Sequence, residues 1–156
     1  TRYWRDWSSD VCSSDLVIPD PELLAAQQGL ARFLRKEIQK FLGFESDLVI
    51  MCIMFEMPEL ALELFHSPEV IDQNIWLYIE VLLMNRRNLE VLTLLPAIEK
   101  GYSHLPDTFL ACTFIRSLAL WNLGERNTAI EVLQAVVEIK PSYRSSDVLL
   151  AEWSRS

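Results

Sequence analysis

FIRSLALWNLGERNTAIEVLQAVVEIKP, residues 114–141, holds two apolar-faced runs separated by one glycine and stopped by one proline. On either side of Gly124 the apolar residues recur at helical spacing. Pro141 has no N–H to donate and cannot continue a helix. The pattern predicts one helix from a cap at Asp107 to Gly124 and a second from about Glu125 to Ile139. A helical hairpin is the unit from which the rest of the chain is read.

Outward from it, helix start and stop signals recur and strand signals are scarce. Asp20-Pro21-Glu22 reads as cap, first-turn proline and first-turn acid. The helix it opens places Leu23, Ala26, Leu30, Phe33, Leu34, Ile38 and Phe41 on one face, and Gly43 suits a left-handed stop. Ser46-Asp47 caps an apolar run to Phe55, and Pro58-Glu59 starts a helix to about His66. Ser67-Pro68-Glu69 repeats the first signal and leads into a helix ending near Asn85. Asn88 caps a helix that Gly101 ends, and a last helix is expected over Ser145–Trp153. Leu48–Phe55 is equally consistent with a buried strand by periodicity. With no second convincing strand to pair it, a helix is expected there, which makes eight helices and an all-α fold.

Within the opening stretch, Ser117, Ala129 and Pro141 sit where a tetratricopeptide repeat places its two small residues and its closing proline. Leu120, Leu133 and Val136 fall at its large apolar positions, and Gly124-Glu125 at its inter-helix turn. The segment resembles that family. Thr113 and Arg116 stand where the family prefers Trp and Leu. Looser copies precede it: Val91, Leu95 and Ile98 match Ala129, Leu133 and Val136 at an offset of 38, and Ala61 and Phe65 match Val91 and Leu95 at an offset of 30. The family period is about 34 residues, and about three units are needed to bury a continuous core. The resemblance implies a right-handed array of antiparallel helix pairs over 46–66, 70–100 and 107–140, as one domain spanning 17–156. A capping helix over 17–43 and another over 145–154 would close its ends.

The first sixteen residues read differently. Asp6–Leu16, DWSSDVCSSDL, resembles one reading frame of a short-read sequencing adapter, so residues 1–16 are expected to be non-native and disordered. Trp4, Trp7 and Cys12 then carry no functional argument, and the natural N-terminus, with any signal for a compartment, is expected to be lost. The whole chain carries a formal charge of −8 and a pI near 4.7. An acidic balance excludes the basic face of a nucleic-acid binder. Three cysteines without repeated spacing fit neither a disulfide scaffold nor a zinc module. From residue 17 onward no run of 18 apolar residues occurs.

Little in the sequence points to catalysis. No phosphate loop, nucleophile elbow, zinc-binding helix or calcium loop is present. His66 and His104 are single, without a second ligand one turn away. Cys52 and Cys112 lie in apolar helices, where a thiol acts as a small hydrophobe. No catalytic, cofactor or metal residue is expected, and no cofactor. Glu80 interrupts the apolar run IWLYIEVLLM, so its carboxylate should find a partner or face a ligand. Arg116, inside another apolar helix, is the sensible partner.

In the resembling family the first helix of each pair lines a concave peptide-binding surface. That resemblance nominates Trp76, Tyr78, Glu80, Arg116, Trp121 and Asn122 as partner-binding residues, with core packing the other reading of the aromatics. The first helix carries Arg32, Arg35, Lys36 and Lys40 opposite its stripe; residues 17–42 sum to +1 and 43–156 to −8. Docking on an acidic body, a membrane surface or an external partner would each use such a face. The function expected is a non-catalytic module holding a protein or peptide segment in a helical groove. The alternative is an accessory or regulatory piece of a larger enzyme or of a secretion or membrane assembly.

Overall fold

The computed structural model describes residues 20–37 and 43–155. Expectations for residues 1–19, and for Ile38, Lys40 and Phe41, lie outside them. The described residues are all-helical, with nine α-helices and no strand. These are α1 (Pro21–Glu37), α2 (Glu45–Met54), α3 (Pro58–Glu63), α4 (Pro68–Gln73), α5 (Ile75–Met84), α6 (Asn88–Gly101), α7 (Pro106–Asn122), α8 (Arg126–Ile139) and α9 (Ser146–Trp153). They fall into two compact units, divided in sequence between Arg86 and Arg87, with α1–α5 in one and α6–α9 in the other.

In the first unit, α3 packs on α2 and on α5, and α4 packs on α5. Leu34, Val49, Cys52, Met57, Leu60, Ala61, Leu64, Phe65 and Val81 form its core. The ambiguous run Leu48–Phe55 is therefore helical, with Val49 and Cys52 turned inward. Among the described residues of the first-helix stripe, Leu34 alone is buried, Leu30 packs partly, and Leu23, Ala26 and Phe33 are exposed. Polar ties hold α1 in place. Gln27 Nε2 donates to the Phe55 carbonyl at 2.8 Å, and Arg35 donates through Nε and Nη2 to the two Glu63 oxygens at 2.8 and 2.7 Å.

The Arg35 guanidinium holds the Glu63 carboxyl below its usual range. A depressed carboxylate stabilises the fold above its unfolded value, near pH ~4.3, and loses that contribution as pH falls through the depressed folded value. Both side chains are about half exposed (54% and 46%), so screening keeps the pair small. Glu63→Gln is expected to cost well under ~1 kcal/mol at neutral pH, to vanish at high salt, and to be neutral in strong acid. Urea titrations at pH 7 and pH 3 check this.

The helix expected from Pro68 to Asn85 is two helices. Asn74 leaves helical geometry (φ −126, ψ 32), and its side chain explains why. Nδ2 donates to the Val70 carbonyl at 2.9 Å while Oδ1 accepts from Ser46 Oγ at 2.5 Å. A short carboxamide that satisfies backbone groups locally competes with the helix. The same bond draws Ser46 away from the capping role expected of it: α2 begins at Glu45 with no side-chain cap. Asn88 and Asp107 likewise lie inside their helices, with Arg87 and Leu105 at the cap positions. Ser67 caps as expected, accepting from the Val70 N–H at 3.4 Å.

In the second unit α7 packs against both α6 and α8, and α9 packs on α8. Ser117, Ala119 and Ala129 are fully buried, as are Val91, Leu95, Leu133 and Val136. Small side chains at such positions let helix axes approach closely. Pro96 lies inside α6 with its ring exposed, and the helix runs on to Gly101.

One turn recurs three times, after α2, α5 and α7. Its left-handed residue is Glu56 (φ 55), Arg86 (φ 59) and Gly124 (φ 85). Glu56 N–H donates to the Ile53 carbonyl and Met57 N–H to that of Cys52. Gly124 N–H donates to Trp121 and Glu125 N–H to Leu120, the same double closure of a helix C-terminus. The spacings 56 to 86 and 86 to 124 are the offsets of 30 and 38 that relate Ala61, Val91 and Ala129, all fully buried. A non-glycine residue in this backbone costs about 1–2 kcal/mol, part of which glycine gives back as unfolded-state freedom. Glu56→Gly is therefore expected to stabilise by about 0.5–1 kcal/mol. Gly124→Ala is expected to destabilise by about 1 kcal/mol through the backbone alone, because a Cβ there meets nothing within 4 Å. Urea midpoints at constant slope measure both.

Candidate functional site

The six residues nominated by resemblance divide three and three between the units. Trp76, Tyr78 and Glu80 are on α5; Arg116, Trp121 and Asn122 are on α7. Each is partly exposed. Trp76 and Glu80 are one turn apart and share a face of α5. Tyr78 turns towards the core of its unit, its ring 4.9 Å from that of Phe65 at 59°.

On α7 all three side chains have partners within their own unit. Arg116 Nη2 donates to Glu99 Oε1 at 2.7 Å, with both side chains about 30% exposed (31% and 29%). Glu99, on the neighbouring α6, thus takes the place expected for Glu80. The two sit 17 positions apart across the α6–α7 connection, a proximity that only the hairpin geometry creates. Asn122 Nδ2 donates to Asn88 Oδ1 at 3.2 Å. The indole of Trp121 lies flat against that of Trp153 on α9, centroids 4.3 Å apart and planes 2° apart, and the Arg126 guanidinium sits 5.3 Å from the Trp121 ring centre. Such contacts hold an aromatic rigid.

Asn122 has a counterpart that the sequence reading missed. Asn85, at the end of α5, donates through Nδ2 to the carbonyl of Pro58, first residue of α3, at 2.8 Å. Asn122, at the end of α7, donates to Asn88, first residue of α6. In each unit, then, an asparagine at a helix C-terminus is tied to the start of a helix packed beside it. Asn85 stands one residue before the left-handed Arg86 and Asn122 two residues before Gly124, so only their place near a helix end could have signalled the role. Trp153 and Glu99 were also passed over.

These positions present two indoles, a phenol, a carboxylate, a carboxamide and a guanidinium paired with the Glu99 carboxylate. Burial pushes the thiols of Cys52 and Cys112 up to about 11, helped by Glu63 and Glu99 respectively. Both are protonated at neutral pH, whereas a nucleophile needs the thiolate. Neither is expected to be alkylated by iodoacetamide at pH 8 in the folded chain, and both should react in denaturant; peptide mapping by mass spectrometry reads this. His66 Nδ1 donates to the Leu64 carbonyl at 2.9 Å, and the His104 ring lies 6.5 Å from that of Tyr102. Among the described residues no group of three or more His, Cys, Asp or Glu side chains is placed to hold a metal ion, and no helix is long and apolar enough to cross a membrane. Compared with known proteins, the chain matches no family model, no curated protein and no solved structure.

Proposed function

We propose that this chain is a non-catalytic protein-interaction module of TPR-like helical repeats, which holds a peptide or protein segment against the faces of its first helices. One observation carries the reading: the left-handed turns at Glu56, Arg86 and Gly124 recur with the same two offsets as the buried Ala61, Val91 and Ala129. A motif repeated in backbone and in core is the mark of stacked helical pairs, whose usual work is to present an extended surface. In this reading α2–α3 is a helix pair of the first unit and α7–α8 a helix pair of the second. On α5 Trp76 is the apolar anchor with Glu80 as its polar fixing; on α7 Trp121 is the anchor with Arg116 and Asn122. A body of net charge −8 steers basic or neutral segments more readily than acidic ones.

Selection of a displayed peptide library on the immobilised chain tests the proposal, followed by fluorescence anisotropy with the selected peptides. Basic, aromatic-containing sequences are expected to emerge. Trp76→Ala should weaken them by roughly tenfold or more, the scale of a hot-spot loss. Leu89→Ala, on an exposed part of α6 (68% exposed), should leave binding unchanged. Selected peptides that bind Trp76→Ala and the parent alike would contradict the reading.

A further inference from the structure

Helix α9 is held in an unusual way. It is entered through a 3-10 turn, Tyr143–Ser145, in which Arg144 and Ser145 both adopt left-handed backbone (φ 47 and 59). Neither is glycine, and among the described residues no other two consecutive positions do this. Most of the helix is open to water: only Ser146 and Trp153 are buried. Trp153 is its one large side chain that is buried; Leu149 and Leu150 on the same face are half-buried against α8. Trp153 is 4% exposed and stacked on Trp121, yet its Nε1 is buried without a hydrogen-bond partner. Ahead of the helix, Tyr143 sets its ring edge-on to Phe114, centroids 5.9 Å apart. Phe114, Leu118 and Trp121 follow the i, i+4, i+7 spacing of one α7 face. Tyr143 lies against Phe114 and Trp153 against Trp121 at the two ends of that face, while the helix itself packs on α8.

The docked state therefore carries two costs that vanish when α9 lifts away. Two residues leave the left-handed region, and the indole N–H reaches water. What opposes release is the burial and stack of Trp153, the half-buried Leu149 and Leu150 on α8, and the Ser146 hydroxyl's bond to the Pro141 carbonyl at 3.1 Å. Such a balance favours opening of this element alone, below the cost of unfolding the unit.

We infer that α9 is a reversible latch on the Phe114–Leu118–Trp121 face of α7. Its release opens that face to an amphipathic helix with one aromatic side chain in the place of Trp153. This regulation rests on the binding role proposed above for α7. The helix already seated there defines the chemistry of its competitor: a short amphipathic helix, apolar on one face, anchored by one ring.

Hydrogen exchange on the unmodified chain tests the latch without any partner. Amides of Leu149–Ser154 are expected to exchange at least about tenfold faster than those of the buried parts of α7 and α8. Ser145→Gly, which relaxes one strained residue, should slow α9 exchange by roughly threefold or more. A synthetic peptide of residues 142–155 should bind the Trp153→Ala chain at least about tenfold more tightly than the parent, whose face is occupied. Exchange of α9 in step with α7 and α8, or a peptide that binds both chains alike, overturns the latch. The exchange arm stands apart from the library selection, so the latch fails there even where the binding proposal survives.

Discussion

Leu95→Ala and Leu133→Ala are each expected to lower the free energy of unfolding by about 3 kcal/mol, within the roughly 2–5 kcal/mol seen for large-to-small changes in packed cores. Both side chains are fully buried, Leu95 on α6 and Leu133 on α8, at positions related by the offset of 38. The loss combines the transfer free energy of the deleted carbons with the cavity that α7, packed against both helices, cannot collapse to fill. For a chain of this size that corresponds to a fall of about 6–12 °C in melting temperature. Leu89→Ala is the internal control. It lies on the same helix as Leu95 but is 68% exposed, so its cost should stay within about 0.5 kcal/mol. Thermal and urea unfolding followed by circular dichroism give all three values. Similar costs at Leu89 and Leu95 would mean that α6 does not present the face described.

Ser117→Leu is expected to cost about 2–3 kcal/mol, the upper part of the usual range for overpacking. Ser117 has no exposed surface on α7, the helix that packs against both α6 and α8. Three additional carbons there must push one helix pair apart or force neighbours from their rotamers. The hydroxyl itself matters little. It donates to the carbonyl of Phe114 in its own helix at 2.7 Å, a local bond whose loss strands no distant partner. Ser117→Ala should therefore change stability by under about 0.5 kcal/mol. The contrast separates a requirement for small volume from a requirement for a hydroxyl. Ala129→Leu, on the facing α8, should repeat the cost of Ser117→Leu.

The fold class was legible because periodicity and punctuation agreed. Gly43 and Gly124 take the left-handed conformations that glycine signals, Ser67 caps α4, and the buried set Val91, Leu95, Ala129, Leu133 and Val136 follows the helical spacing of the sequence. What stayed hidden depended on residues acting against type. Glu56 and Arg86 occupy left-handed backbone with no glycine to announce it, so two of three equivalent turns looked unlike the third. Asn74 breaks a helix through a carboxamide bonded to Ser46, 28 positions earlier, which no local pattern encodes.

The candidate site was less legible than the fold. The partner of Arg116 was sought in the most conspicuous buried-looking acid, Glu80, whereas Glu99 is brought beside it by the α6–α7 hairpin. Trp121 was noticed as an aromatic on a first helix; the indole that covers it, Trp153, lies 32 positions later on a helix read only as a cap. Helix existence follows from local residue spacing, but side-chain partnership follows from packing, and packing is non-local.

The central claim is a left-handed turn that recurs after α2, α5 and α7, and backbone NMR tests it most directly. Carbon-13 shifts and three-bond HN–Hα couplings should give continuous helix through Leu48–Met54 and positive φ at both Glu56 and Arg86. Extended-chain shifts across Leu48–Met54, or negative φ at Glu56 and Arg86, would contradict it.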